Sequence, residues 1–246
     1  MAEGAGVALS YEEHGEGRAV LLVHGMAADA RHWTEAVQEL APRARVIAYD
    51  RRGYGGSGAP DPYERTTVQE QAEDAAALLR GLGAGPAVLC GADFGALVCL
   101  DLIKRHAGLV AGAVLVDPLV LAFVPEAAEA LAAERVVLEE ALREHGPQQA
   151  VTAYLATGAR PADEERARAA RAAHGAFFAD YGGGATWPVR RRELREIAVP
   201  VTVADGERAL PHVRAAGDAL VELIPGARRE GAEDPAGLVS ELLRTS

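Results

Sequence analysis

Residues 86–100, PAVLCGADFGALVCL, set one charged side chain among small ones: Gly91-Ala92-Asp93-Phe94-Gly95 follows a short apolar run and opens a helix-forming segment. A small-x-carboxylate-x-small pattern at a strand-to-helix turn pushes its central side chain into solvent at the carboxyl end of a sheet. The turn tolerates no bulk on either side, which accounts for the glycines. Above a helix N-terminus Asp93 is expected to stay ionised, favoured by the helix dipole and nearby backbone N–H groups. Such a carboxylate attacks carbon, opening an epoxide or displacing a halide to leave an ester, or it acts as a weak general base. It is a poor acyl acceptor, and no Ser occupies this turn, so ordinary serine-esterase chemistry is excluded.

The chain has 246 residues, 49% of them apolar, which suits one large α/β domain with a substantial core. A net charge of −11 argues against nucleic acid and anionic membranes as partners. Arg190-Arg191-Arg192 is the one basic run and reads as a solvated junction. Cys90 and Cys99 flank the turn and read as small buried hydrophobes, not a disulfide framework. No basic leader precedes an apolar core, and no apolar run approaches membrane-spanning length, so the expected location is cytoplasmic.

Strands are expected over Val7 to His14, Ala19 to Val23, Arg45 to Tyr49, Pro86 to Cys90 and the continuously apolar Ala111 to Val116. Helices are expected over Trp33 to Leu40, Thr67 to Leu82 and Ala96 to His106. From about Pro125 to Arg195 the composition turns Ala-, Glu- and Arg-rich with helical period and no convincing strand. Gly182-Gly183-Gly184 reads there as a flexible joint. Alternation then resumes with a strand at Val199 to Ala204, a helix at Ala215 to Leu220, a strand at Val221 to Ile224 and a helix at Leu238 to Leu243. Alternating strands and helices imply a mostly parallel sheet flanked by helices. The expected organisation is a core over 1–118, a helical cap over 119–195 and the rest of the core over 196–246.

Three further segments, with the turn, resemble the α/β-hydrolase fold family. Leu21-Leu22-Val23-His24-Gly25-Met26 resembles the strand-then-His-Gly segment that builds half of that family's oxyanion hole. Asp50-Arg51-Arg52-Gly53-Tyr54-Gly55-Gly56-Ser57 matches its D-x-R-G-x-G-x-S loop. Val199 to Glu207, VPVTVADGE, resembles the strand and turn that deliver its catalytic acid. The resemblance covers the chain outside the cap. It implies an oxyanion hole built at Gly25-Met26 from the N–H groups of Met26 and Phe94, with His24 more structural than catalytic.

Asp93 in the turn is similar to the nucleophile of epoxide hydrolases and haloalkane dehalogenases. Two positions depart from that pattern. Where the family's acid usually stands, three residues after the Gly of the Gly-Glu turn, the chain has Ala209. Where its His normally stands, counted back from Pro235, the chain has Arg228. An ester on Asp93 needs activated water, so His212 and Asp117 become the candidates to complete the site. The bland reading of His212 is a surface residue at a helix start, and that of Asp117 is a fold-typical V-D-P turn. Asp205 and Glu207 are further acids nearby. By resemblance, cap donors Tyr154, Tyr181 and Trp187 would reach an epoxide oxygen, and Phe177-Phe178 suggests an apolar wall.

No metal-ligand cluster or phosphate cradle stands out, so neither metal nor cofactor is expected. The resulting expectation is a cofactor-independent enzyme acting through Asp93 on a small or medium apolar organic substrate, with epoxide-hydrolase-like hydrolysis favoured. A lyase, cyclase or isomerase on the same fold, or a ligand-binding pseudo-hydrolase, stays open.

Overall fold

Apolar strands covered on both faces form the centre of the computed structural model, which describes residues 1–125, 127–157, 164–206 and 209–245. β1 (Ala2–Glu3) and β2 (Ala8–Leu9) pair as a small antiparallel ribbon. The main sheet holds β3 (Tyr11–His14), β4 (Ala19–Val23), β5 (Arg45–Tyr49), β6 (Ala87–Ala92), β7 (Val110–Val116), β8 (Val201–Asp205) and β9 (Arg228–Gly231). Their spatial order is β3-β5-β4-β6-β7-β8-β9, with β3 antiparallel to β5 and every other pair parallel. Helices α1 (Thr34–Leu40), α2 (Val68–Gly81) and α3 (Phe94–Arg105) follow successive strands. Between β7 and β8 lie α4 (Ala127–His145), α5 (Pro147–Thr157), α6 (Glu164–Ala172), α7 (His174–Ala185) and α8 (Arg191–Arg195). The chain then closes with α9 (Pro211–Leu223) and α10 (Pro235–Thr245).

Successive strand side chains point to opposite faces, so each strand feeds two cores. Leu21, Val23, Ile47, Leu89 and Leu115 pack with α2 and α3 on one face. Val20, Leu22, Val46, Val88 and Val114 pack with Leu40 of α1 and Val239 and Leu242 of α10 on the other. This two-sided burial is why the runs read as continuously apolar. Truncating one such residue, Leu115→Ala, would cost about 2–5 kcal/mol through lost transfer energy and a residual cavity. The α2 start is fixed by Thr67, whose hydroxyl accepts the Glu70 N–H at 3.0 Å. Among the described residues no helix is long and apolar enough to cross a membrane.

Three expectations about the elements are corrected. The strand placed at Val221 to Ile224 is the end of α9, where Leu220 and Leu223 complete a buried helical face. The last strand is β9, an edge strand whose Arg228, Arg229 and Glu230 carry no apolar signal. Gly182-Gly183-Gly184 is helical within α7 and forms no joint. A Cβ on Gly183 would lie 2.8 Å from the Thr66 carbonyl, so the glycine permits close helix approach. The strand expected over Val7 to His14 is also divided, because Ser10 N–H turns to the Ser57 hydroxyl at 2.9 Å.

Candidate active site

Asp93 sits between β6 and α3 at φ +55°, a backbone conformation that a non-glycine residue adopts at a cost of about 1–3 kcal/mol. Two anchors hold it there: its N–H donates to the Val116 carbonyl at 2.9 Å, and its carbonyl accepts from Ala96 N–H at 3.1 Å. The neighbouring glycines are required by contact. A Cβ on Gly95 would stand 2.2 Å from the Val23 carbonyl, and one on Gly25 would stand 2.8 Å from the Asp93 carboxylate.

The Asp93 carboxylate accepts the Met26 N–H on Oδ2 at 3.1 Å, while Oδ1 is buried without a partner. Burial pushes its pKa up to about 7, against the opposing effects of the Met26 N–H and the Arg51 charge. The expectation of a firmly ionised group is thereby corrected: desolvation outweighs one backbone donor and the helix end. Phe94 begins α3 and buries its ring beside the turn.

Beneath the turn lies a buried network that the loop Asp50 to Ser57 supplies. Arg51 donates to the carbonyls of His24 (2.8 Å) and Gly25 (2.9 Å), to Gln71 Oε1 (2.5 Å) and to Asp180 Oδ2 (2.7 Å). Its guanidinium also lies 4.8 Å from the Phe94 ring centre. Asp180, on α7, further accepts from the Tyr54 hydroxyl at 2.8 Å and Gln71 Nε2 at 2.6 Å. Arg51 thus grips the His24-Gly25 backbone immediately before the N–H that faces Asp93. His24 is fully buried with both ring nitrogens engaged. Nε2 accepts the Arg51 N–H at 2.9 Å, so Nδ1 carries the proton toward the Gly25 carbonyl, also at 2.9 Å. Burial drives its pKa well below the ordinary histidine value, and it is absent from the cavity wall. His24 therefore shapes the loop and does not meet a substrate.

A cavity of about 940 Å³ opens above Asp93. Of the residues singled out in the sequence, Gly25, Met26, Asp93, Phe94, Asp117, Tyr154, Tyr181, Trp187 and His212 line it. Trp187 is corrected as a substrate donor, because its indole N–H is committed to buried Asp101 at 3.0 Å. The wall also carries His32, Glu134, Arg166 and Asp180, none of which was anticipated. The one available signal was for Asp180, a lone carboxylate on an otherwise apolar helix, which burial obliges to find a cation.

The profile of the Alpha/beta hydrolase family matches residues 20–241. The chain belongs to this family. Its seven-stranded, mostly parallel sheet flanked by helices is the α/β-hydrolase fold. A thermophilic esterase from Thermogutta terrifontis superposes with a TM-score of 0.76 at 25% identity, covering 97% of this chain and 94% of that one. Esterase RhEst1 from Rhodococcus sp. superposes with a TM-score of 0.72 at 30% identity over 99% and 96% of the two chains. Among curated relatives, Epoxide hydrolase A of Mycobacterium tuberculosis is 38% identical over 109 residues, 43% of this chain and 34% of that protein. The uncharacterized hydrolase YraK of Bacillus subtilis is 36% identical over 101 residues, 41% of this chain and 37% of that protein. These curated matches therefore span little more than a third of the relatives' own length.

In this α/β hydrolase, Ala209 lines the cavity with a methyl group at the position expected for the family's acid. Arg228 is corrected as the counterpart of the family's His: it starts β9, away from the strand's carboxyl end, and pairs with Glu241 at 2.9 Å. The segment after β9 is Ala232-Glu233-Asp234, which supplies no imidazole and does not line the cavity. His212 stands in the first turn of α9, half-buried on the cavity wall, where burial lowers its pKa. No hydrogen bond joins an imidazole to Asp93 among the described residues. Asp117, at φ +46°, accepts the Gly206 N–H at 2.7 Å. Asp205 forms an ion pair with Arg229, and Glu207 lies outside the described residues.

Proposed function

We propose that this α/β hydrolase opens small or medium-sized apolar electrophiles of the epoxide type through Asp93. The observation that carries the reading is a desolvated carboxylate, with one backbone donor and one unpartnered oxygen, at the floor of a large cavity. Helices α4 to α8 act as the cap that walls the cavity and selects the substrate. The epoxide hydrolases among the curated relatives add support.

In the first step an Asp93 carboxylate oxygen bonds to a ring carbon as the carbon–oxygen bond of the epoxide breaks. The released oxygen takes the phenol proton of Tyr154, which lines the cavity and feels the Asp93 charge. In the second step water gives a proton to neutral His212 and adds to the ester carbonyl. The N–H groups of Met26 and Phe94 hold the oxyanion. As the ester bond breaks, the leaving alkoxide recovers the proton from His212, and the regenerated carboxylic acid returns its proton to Tyr154. Intact-mass analysis tests this route. The His212→Ala variant should accumulate an ester adduct that Asp93→Asn never forms, and heavy-oxygen water should label Asp93 in a single turnover and the product over repeated turnovers.

A second reading is favoured by the missing imidazole contact. A carboxyl with a pKa near 7 is matched to general-base work, so Asp93 would instead drive an elimination, isomerisation or cyclisation. That route predicts loss of turnover in Asp93→Asn with no adduct in any variant and no label from water. Ligand affinity retained in Asp93→Asn, with no product from any substrate, would leave a binding protein.

A further inference from the structure

Glu134 and Tyr181 form a polar corner of the same cavity that the proposed chemistry leaves unused. Glu134 projects from α4, is half-buried, and has its pKa raised by burial; only the Tyr181 phenol acts against that rise. Several other charged groups on the wall have partners. Arg135 pairs with Glu139 at 2.6 Å, Arg166 donates to the Ala27 carbonyl at 3.4 Å, and Asp180 is held by Arg51. Among the described residues neither Glu134 nor Asp93 takes part in an ion pair. Tyr154 stands edge-on to Tyr181 with centres 6.4 Å apart, and Phe178, three residues before Tyr181 on α7, also lines the cavity. Tyr154, which lines the same cavity, feels the charges of both Asp93 and Glu134.

A carboxylate facing aromatic rings is the chemistry that recognises an ammonium group. The ring faces attract the cation, and the acid supplies the countercharge in a poorly hydrated space. We infer that Glu134, with Tyr181 and Phe178, forms a subsite for a protonated or quaternary amine on an otherwise apolar ligand. The inference rests on reading this cavity as the active site. It deepens that reading by naming the substrates as amine-bearing electrophiles.

Calorimetry with unreactive probes of one shape tests the subsite without turnover: phenylbutylamine, phenylbutyltrimethylammonium, phenylbutanol and phenylbutyrate. The wild-type protein should bind both cations at least about tenfold more tightly than phenylbutyrate. Glu134→Gln should reduce cation affinity about five- to tenfold while phenylbutanol changes less than twofold. Tyr181→Leu should weaken the quaternary cation, which cannot donate a hydrogen bond and depends on the ring face. Equal affinity for all four probes, preference for phenylbutyrate, or an undiminished cation preference in both variants would overturn the subsite. Cation preference without turnover of any amine-bearing epoxide would count against the hydrolytic reading and leave the subsite standing.

Discussion

Asp180 on α7 and Asp93 on the β6–α3 turn both face the cavity, with opposite surroundings. Asp180 accepts from Arg51, Tyr54 and Gln71 at 2.6–2.8 Å. Asp93 accepts a single backbone N–H at 3.1 Å, leaving one buried oxygen without a partner. The difference separates a carboxylate that holds the structure together from one left available for reaction. A saturated buried acid is stabilised by its partners, whereas an under-donated one has a raised pKa and unused acceptor capacity.

The sharpest way to break this contrast is Asp93→Asn. It should lower turnover by roughly ten-thousand-fold on any epoxide the wild type accepts, read by steady-state kinetics. Turnover close to wild type would remove Asp93 from the mechanism. Asp180→Asn should instead destabilise the fold by about 3–5 kcal/mol in urea unfolding, because it leaves the Arg51 guanidinium buried without its countercharge. A loss below about 1 kcal/mol would show that the two acids are less different than their hydrogen bonds indicate.

The contrast also has a pH signature. The Asp93 carboxyl is raised from 3.8 to about 7, so between those values the folded protein holds more proton than the unfolded chain. Its contribution to stability is therefore fully present below about pH 4 and declines as pH rises through about 7. Asp93→Asn should remove that decline, gaining on the order of 4 kcal/mol above neutral pH and little at about pH 4, as urea titrations at several pH values would show. Wild-type turnover should rise through an inflection near pH 7, since attack requires the ionised form. Trp187→Phe should cost about 1–2 kcal/mol by stripping a donor from buried Asp101, with catalysis largely retained, as thermal unfolding and kinetics together would reveal. At the small end, Arg228→Ala breaks an exposed pair with Glu241 and should shift stability by less than about 0.5 kcal/mol with activity intact. A large activity loss there would restore that position to the site.

The turn was legible in the sequence because its glycines report steric contacts that few other residues satisfy, and the apolar strands were legible because both their faces are covered. β9 was not, since an edge strand carrying Arg228, Arg229 and Glu230 has no hydrophobic period to detect. The loop Asp50 to Ser57 was recognisable as a motif. The reach of Arg51 to Gln71 and Asp180, 20 and 129 residues away, is a product of tertiary packing that local pattern cannot carry. Trp187 stands on the cavity wall, but the direction of its N–H depends on Asp101, a partner 86 residues distant that local pattern does not reveal. Glu134 sits in an Ala- and Glu-rich helix where nothing local distinguishes it from its solvated neighbours.

The attachment of Asp180 constrains how a ligand can enter. α7 is moored through Asp180 by three buried side-chain contacts, to Arg51 and Tyr54 of the loop and to Gln71 of α2, so swinging it outward would expose Arg51 and strip the support behind Met26. An admission route that preserves the turn around Asp93 therefore leaves α7 docked, as the fixed jamb of the doorway.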